Sequence, residues 1–166
     1  MTDQILTTPS STPRTHPPPH VVYAGVIFQR EDGAVLLVRD EVESAPVRWE
    51  LPWTTPTWGD GSLRVTAYRA LAERTGFEVN RVDGCYVAGD LSDAGNAVVG
   101  WYFHGKYEDL VGTLHHVPQE TLRWEAPEAL TDSDLETLER VAELGLSRGD
   151  REALGGLLNG LTDSMM

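Results

Sequence analysis

Two runs decide the architecture: Trp49-Glu50-Leu51-Pro52 and, after a loop, Arg69-Ala70-Leu71-Ala72-Glu73-Arg74-Thr75-Gly76-Phe77. A proline pushes the residue before it out of helical space, so 49–52 reads as a short extended piece. The loop Trp58-Gly59-Asp60-Gly61-Ser62 ends on Ser62, whose side chain can accept a backbone N–H and start a helix. Behind it, Leu63, Ala67, Ala70 and Leu71 recur at i, i+4, i+7 and i+8, which is one face of an α-helix. Gly76 is the natural stop, because glycine enters the left-handed region without a Cβ penalty.

Outward from this unit the chain reads as strands on both sides. The runs Val21 to Phe28 and Ala34 to Val38 are apolar and β-prone, and Asp32-Gly33 between them suits a hairpin turn. Asp40 to Val47 is polar and reads as loop. Downstream, 84–88 and 97–104 read as a second hairpin around Asp90, Ser92, Asp93, Gly95 and Asn96. Residues 106–120 read as irregular, and Leu122-Arg123-Trp124 as a short extended segment. Ser133 to Glu136 has capping-box spacing. Leu135, Leu138, Val141 and Ala142 are expected on the inner face of the helix behind it, with Gly145 ending it. Ser147 and Asp150 open a last helix, with Leu154, Leu157, Leu158 and Leu161 turned inward. The order predicts a mixed α/β sandwich with helices packed on a sheet.

The chain has 166 residues, 40% of them hydrophobic and 23% charged, which suits one domain with a real core. Residues 1–19, rich in Thr, Ser and Pro, read as a flexible tail, because so little apolar surface cannot offset ordering entropy. Residues 20–166 read as a single domain with C-terminal helices. A net charge of −13 argues against a nucleic-acid polymer as partner. No apolar run is long enough for a membrane span. No basic-then-apolar leader opens the chain, so a cytoplasmic location is expected. The single cysteine, Cys85, sits in a strand-like run and reads as a structural thiol.

The two opening runs resemble the Nudix hydrolase family, as does Arg123-Trp124-Glu125-Ala126-Pro127-Glu128-Ala129-Leu130 near the C-terminal helix. That family's box reads G-x5-E-x7-R-E-U-x-E-E-x-G-U, with U a bulky aliphatic residue, after a W-x-x-P-G-G lead-in. The resemblance covers roughly residues 20 to 145. It implies a Nudix-type α/β/α sandwich, a mixed sheet with helices on both faces. In the family the box glutamates at i, i+3 and i+4 share one helical face and hold Mg²⁺ through hard oxygen ligands. The ion neutralises a diphosphate and activates the attacking water.

Aligned from its C-terminal end, the chain keeps Arg69, Leu71, Glu73, Gly76 and Phe77. The leading glycine is Thr55 and the first glutamate is Gly61. The first helical glutamate is Ala70 and the last is Arg74. Glu73 alone survives of the four glutamates, and a guanidinium at 74 repels a divalent cation and cannot deprotonate to escape. The expectation is therefore no cofactor, with Mg²⁺ at Glu73 only if the chain is a hydrolase. Arg69 or Arg74 could pair with a phosphate oxygen. In the plainer alternative, Arg74 pairs with Glu73 or a loop acid. Asp60 could pair with Arg69 and pin loop to helix.

The altered loop gains Trp53 and Trp58, with Tyr68 on the helix and Trp101, Tyr102 and His104 on a later strand. Together they are expected to line a cleft for a small molecule, phosphorylated or aromatic. Glu73, Glu120 and His104 are the candidate catalytic residues. His115 and His116 could each act as acid or base. Three readings remain open: a repurposed binder or metal-independent enzyme, a Mg-dependent hydrolase of a nucleoside diphosphate linked to another group using Glu73, Asp60 and Glu120, and a non-enzymatic regulatory module. A homodimer is compatible with each.

Overall fold

The computed structural model describes residues 21–40, 46–91, 95–113 and 117–165. The expectations for the 1–19 tail, for Ser92 and Asp93, and for His115 and His116 lie outside these residues. The side chains of Cys85 and Leu161 do too.

Among the described residues nine strands and four α-helices follow one another: β1 Val21–Gln29, β2 Val35–Arg39, β3 Trp49–Glu50, β4 Trp53–Thr54, α1 Leu63–Thr75, β5 Phe77–Val79, β6 Val82–Leu91, β7 Ala97–Lys106, β8 Leu110–Thr113, β9 Leu122–Glu125, α2 Glu128–Thr131, α3 Leu135–Leu144 and α4 Arg148–Met165. Seven strands form one mixed sheet in the order β3-β2-β1-β7-β6, with β4 added to β1 and β9 to β2. β1 and β7 run parallel over their whole length, from Val21 opposite Val98 to Gln29 opposite Lys106. β5 and β8 make a separate two-stranded sheet.

Strand alternation splits the core into two layers. Ala24, Val26, Phe28, Leu36 and Phe103 face α1 and pack on Ala67 and Leu71. Tyr23, Ile27, Leu37 and Tyr102 face the other way and pack on Leu130, Leu144, Leu154 and Leu157 of the C-terminal helices. Helices therefore cover both faces of a mixed sheet.

The hairpin turn is as expected, with Gly33 at φ +92° and the Asp32 carboxylate accepting from Ala34 N at 3.1 Å. α1 opens with Ser62 Oγ accepting from Val65 N at 3.2 Å and closes on Gly76 at φ +80°. Gly25 sets how closely β4 approaches: a Cβ there would lie 2.6 Å from the Pro52 carbonyl oxygen.

Three expectations need correction. Part of 106–120, read as irregular, is strand: Leu110–Thr113 pairs with Phe77–Val79. Two strands this short carry little periodicity, and each is specified by its partner. α3 is capped by Asp134, one residue later than the sequence spacing indicated, through Asp134 Oδ1 accepting from Thr137 N at 2.7 Å. The same helix turns Leu135 and Leu138 outward, 72% and 46% exposed, and buries Thr137 and Leu144. Val141 and Leu144 pack on the core and Arg140 donates to the buried Glu125 carboxylate at 2.6 Å, so this side of α3 is the one turned toward the domain.

Candidate functional site

The loop before α1 is organised by an acid the family pattern does not contain. Asp60 is buried, and both its oxygens accept from Arg69: Nε to Oδ1 at 3.0 Å and Nη2 to Oδ2 at 2.8 Å. Oδ2 accepts as well from Thr66 Oγ1 at 2.8 Å and from Thr57 N at 3.0 Å. Such a two-toothed charge-assisted pair fixes orientation as well as distance. The Arg69 guanidinium, then the Thr57 amide, hold the Asp60 carboxyl well below the usual carboxylate range. Arg69 also donates from Nη2 to the Thr55 carbonyl at 2.8 Å and from Nη1 to Glu73 at 3.3 Å. The expected Asp60–Arg69 pin is thus formed, and every nitrogen of Arg69 is engaged.

Arg74 lies one turn beyond Ala70 on the same helical face. Ala70 is fully buried, and Arg74 reaches over β3 and β4. Its Nη2 donates to Glu50 Oε2 at 2.8 Å and its Nη1 to the Trp53 carbonyl at 3.2 Å. The partner acid is therefore Glu50 on β3, where Glu73 or a loop acid was expected. Glu73 points along the exposed side of α1, its side chain 56% exposed.

Two openings flank α1. A groove of about 690 Å³ is lined by Tyr68, Arg69 and Glu73 together with Glu78, Asn80 and Val111. A cavity of about 450 Å³ sits in the preceding loop, bounded by Pro56, Trp58, Asp60, Leu63 and Thr66. The indole of Trp58 is fully exposed at its rim.

The other expected site residues are scattered. Trp53 lies against the core layer on the far side of the sheet from α1, its ring 5.0 Å from that of Tyr23. Trp101 packs into the α1-side layer. The single aromatic-lined cleft expected from the sequence is not assembled, because Trp53 and Trp101 point to opposite faces. His104 follows Tyr102 in alternation and so also faces away from α1, out of reach of Glu73. It is buried, its Nε2 within 2.9 Å of Gln29 Oε1, and burial followed by the Lys106 charge lowers its pKa. Glu120 sits exposed in a short 3-10 turn, Gln119–Thr121. Among the described residues no three His, Cys, Asp or Glu side chains cluster as a metal site.

The sequence reading places Asp150 at the start of the last helix, as found, but misses its burial and its partners. It is buried at the start of α4, accepting from Tyr102 Oη at 2.6 Å and from Leu51 N at 3.1 Å, while Tyr102 Oη lies 2.6 Å from Tyr23 Oη. An aspartate in a first helical turn is so common a start residue that nothing local marks it as buried. This network ties α4 to the segment that carries Trp53. It is a brace on the face of the sheet opposite α1.

The fold is shared with solved structures, among them a NUDIX domain. The Escherichia coli ORF135 protein aligns with a TM-score of 0.62 at 22% identity, over 84% of this chain and 89% of that one. The MutT protein of Methanosarcina mazei Go1 aligns at 0.61 and 18% identity, over 86% and 96%. The NUDIX domain of Shewanella oneidensis NrtR, solved with ADP ribose, aligns at 0.61 and 18%, over 91% and 94%. At these identities the likeness speaks for the fold alone. No curated protein matches the chain. The family model for the NUDIX domain matches residues 19–144, and the chain therefore belongs to the Nudix family.

Proposed function

We propose that this Nudix domain binds a small organic ligand without a divalent cation, along the exposed side of α1 and the loop before it. The observation that carries this reading is Arg74: a fixed positive charge stands between the Glu50 carboxylate and the Trp53 carbonyl. Those are hard oxygen donors of the kind Mg²⁺ would use. The Asp60 oxygens are likewise committed, to Arg69, Thr66 and Thr57. Ala70 and Gly61 offer no side-chain oxygen. The donor set therefore does not fit an octahedral magnesium site, and no chemical step through a metal is derived.

The ligand surfaces of this reading are the groove of Tyr68, Glu73 and Asn80 and, separately, the loop cavity with Trp58 at its rim. With its nitrogens engaged, Arg69 acts as a strut and supplies no free fork for a diphosphate. An uncharged ligand carrying a planar ring suits the exposed indole of Trp58. A small molecule as ligand is in keeping with the NrtR domain, which was solved with ADP ribose.

A second reading is favoured by Glu73, whose exposed carboxylate lines the groove and could hold Mg²⁺ for hydrolysis of a nucleoside diphosphate derivative. One titration separates the two. Nucleosides and other planar small molecules are titrated in EDTA while tryptophan fluorescence is followed, with Trp58→Ala as control. Saturable binding in EDTA, weakened at least about tenfold in Trp58→Ala, is expected. A response that requires Mg²⁺ and is lost in Glu73→Gln supports hydrolysis instead.

A further inference from the structure

α3 is an amphipathic helix whose apolar arc is only half used by its own fold. Successive helical residues turn by about 100°, so Leu135, Leu138 and Ala142 fall within roughly 60° of one another. They lie beside Val141, which packs on the core. Leu135 and Leu138 are exposed, and Ala142 is too. Along the far flank of this stripe, again within roughly 60°, run Glu136, Glu139 and Glu143.

The charge around the stripe identifies what could cover it. Arg140, the one basic residue of α3, is bound to Glu125 on β9 and to Glu143. Beside the acidic flank, a groove of about 340 Å³ is lined by Glu128, Asp132, Asp134 and Glu136, with the ion-paired Arg140 as its one basic residue. A second copy of this chain would bring the same carboxylates face to face. An anionic lipid surface would meet the same repulsion. A partner that lays leucine-like side chains on 135, 138 and 142 while setting lysines or arginines against the glutamates satisfies both parts of the surface at once.

We propose that the outer face of α3 docks a basic amphipathic helix of another protein, with Leu135 and Leu138 as its apolar anchors and Glu136 and Glu139 as its charge contacts. The surface is remote from the groove over α1, on the other side of the sheet, so it is independent of the ligand reading above.

The test uses a fluorescein-labelled peptide of Leu and Lys, with leucines at i, i+3 and i+7 and lysines beside them, followed by anisotropy against the full chain. Saturable 1:1 binding that weakens with added salt is expected. Leu135→Ala with Leu138→Ala lowers the affinity at least about tenfold, and so, separately, does Glu136→Lys with Glu139→Lys. All four side chains lie at the surface, and an unchanged thermal midpoint confirms that the variants fold. The proposal is overturned if the peptide fails to saturate, or if it binds the leucine variant as well as the wild type, since charge alone then explains it. It is also overturned if the wild-type chain dimerises through the leucines, because the occupant is then a second copy.

Discussion

The Arg74 guanidinium lies 2.8 Å from the Glu50 carboxylate, joining the last turn of α1 to β3 across 24 residues of sequence. The two side chains are 21% and 17% exposed, so the pair sits well inside the range where a lost partner is felt. Removing one member of such a pair leaves the other charge half-buried and uncompensated, between the small cost of a surface pair and the large cost of a buried one. Arg74→Met should therefore lower stability by about 1–3 kcal/mol in denaturant unfolding. Arg74→Glu should be less stable still, because it sets two carboxylates together. Added Mg²⁺ should recover part of that loss, while leaving the wild type unchanged. Equal stabilities for the two variants would mean that Glu50 does not face position 74.

Trp53 and Trp58 sit five residues apart and should behave oppositely. Trp58 is fully exposed, so Trp58→Ala is expected to change stability by less than about 0.5 kcal/mol. Trp53 packs against Tyr23 and the core, and truncating it leaves a cavity costing about 3 kcal/mol. Thermal unfolding of the two variants checks this. A costly Trp58→Ala would mean that the loop folds over its indole.

Tyr102 donates its hydroxyl to the buried Asp150 carboxylate, and burial together with the Asp150 charge pushes the phenol's pKa far up. Tyr102→Phe removes this charge-assisted hydrogen bond and the one shared with Tyr23 Oη, without emptying the ring's space. The expected cost is about 2 kcal/mol. The same substitution should leave ligand binding at Trp58 unaltered, since α4 braces the far side of the sheet.

His104 is held neutral by burial, so its folded pKa lies below its unfolded value of about 6.5. The unfolded chain then binds the proton first as pH falls. The stability associated with His104 is present above pH ~6.5 and is lost as pH drops through the lowered folded value. His104→Gln should flatten this part of the stability–pH curve. A wild-type curve flat from pH 7 to 5, or an unchanged slope in the variant, would contradict the assignment.

Much of the fold was legible because it rests on local signals. The Ser62 cap, the Ala67, Ala70 and Leu71 face, and the glycine stop at Gly76 each act within one or two turns of chain. The Asp60–Arg69 pin was readable too, from an acid near the lost loop glutamate and a retained arginine. The partner of Arg74 was not, because Glu50 is brought near only when β3 joins β2 in the sheet. The expected aromatic cleft failed for a related reason. Strand parity decides which face a tryptophan occupies, and the two-residue strand β4 gives no alternation from which to read it. The outward stripe of α3 was misjudged because an apolar arc does not reveal how much of it the domain itself covers. Which part is covered depends on partners distant in sequence, the core around Val141 and Leu144 and the Glu125 carboxylate.

Where Arg74 occupies the Glu50 and Trp53 oxygens, as proposed, no divalent cation should bind, and calorimetric titration of Mg²⁺ and Mn²⁺ into the wild-type chain reads this without any substitution. No saturable heat is expected for either ion, and no cleavage of nucleoside diphosphate derivatives to a nucleoside monophosphate in their presence. Saturable binding accompanied by metal-dependent turnover, both abolished in Glu73→Gln, would contradict the proposal.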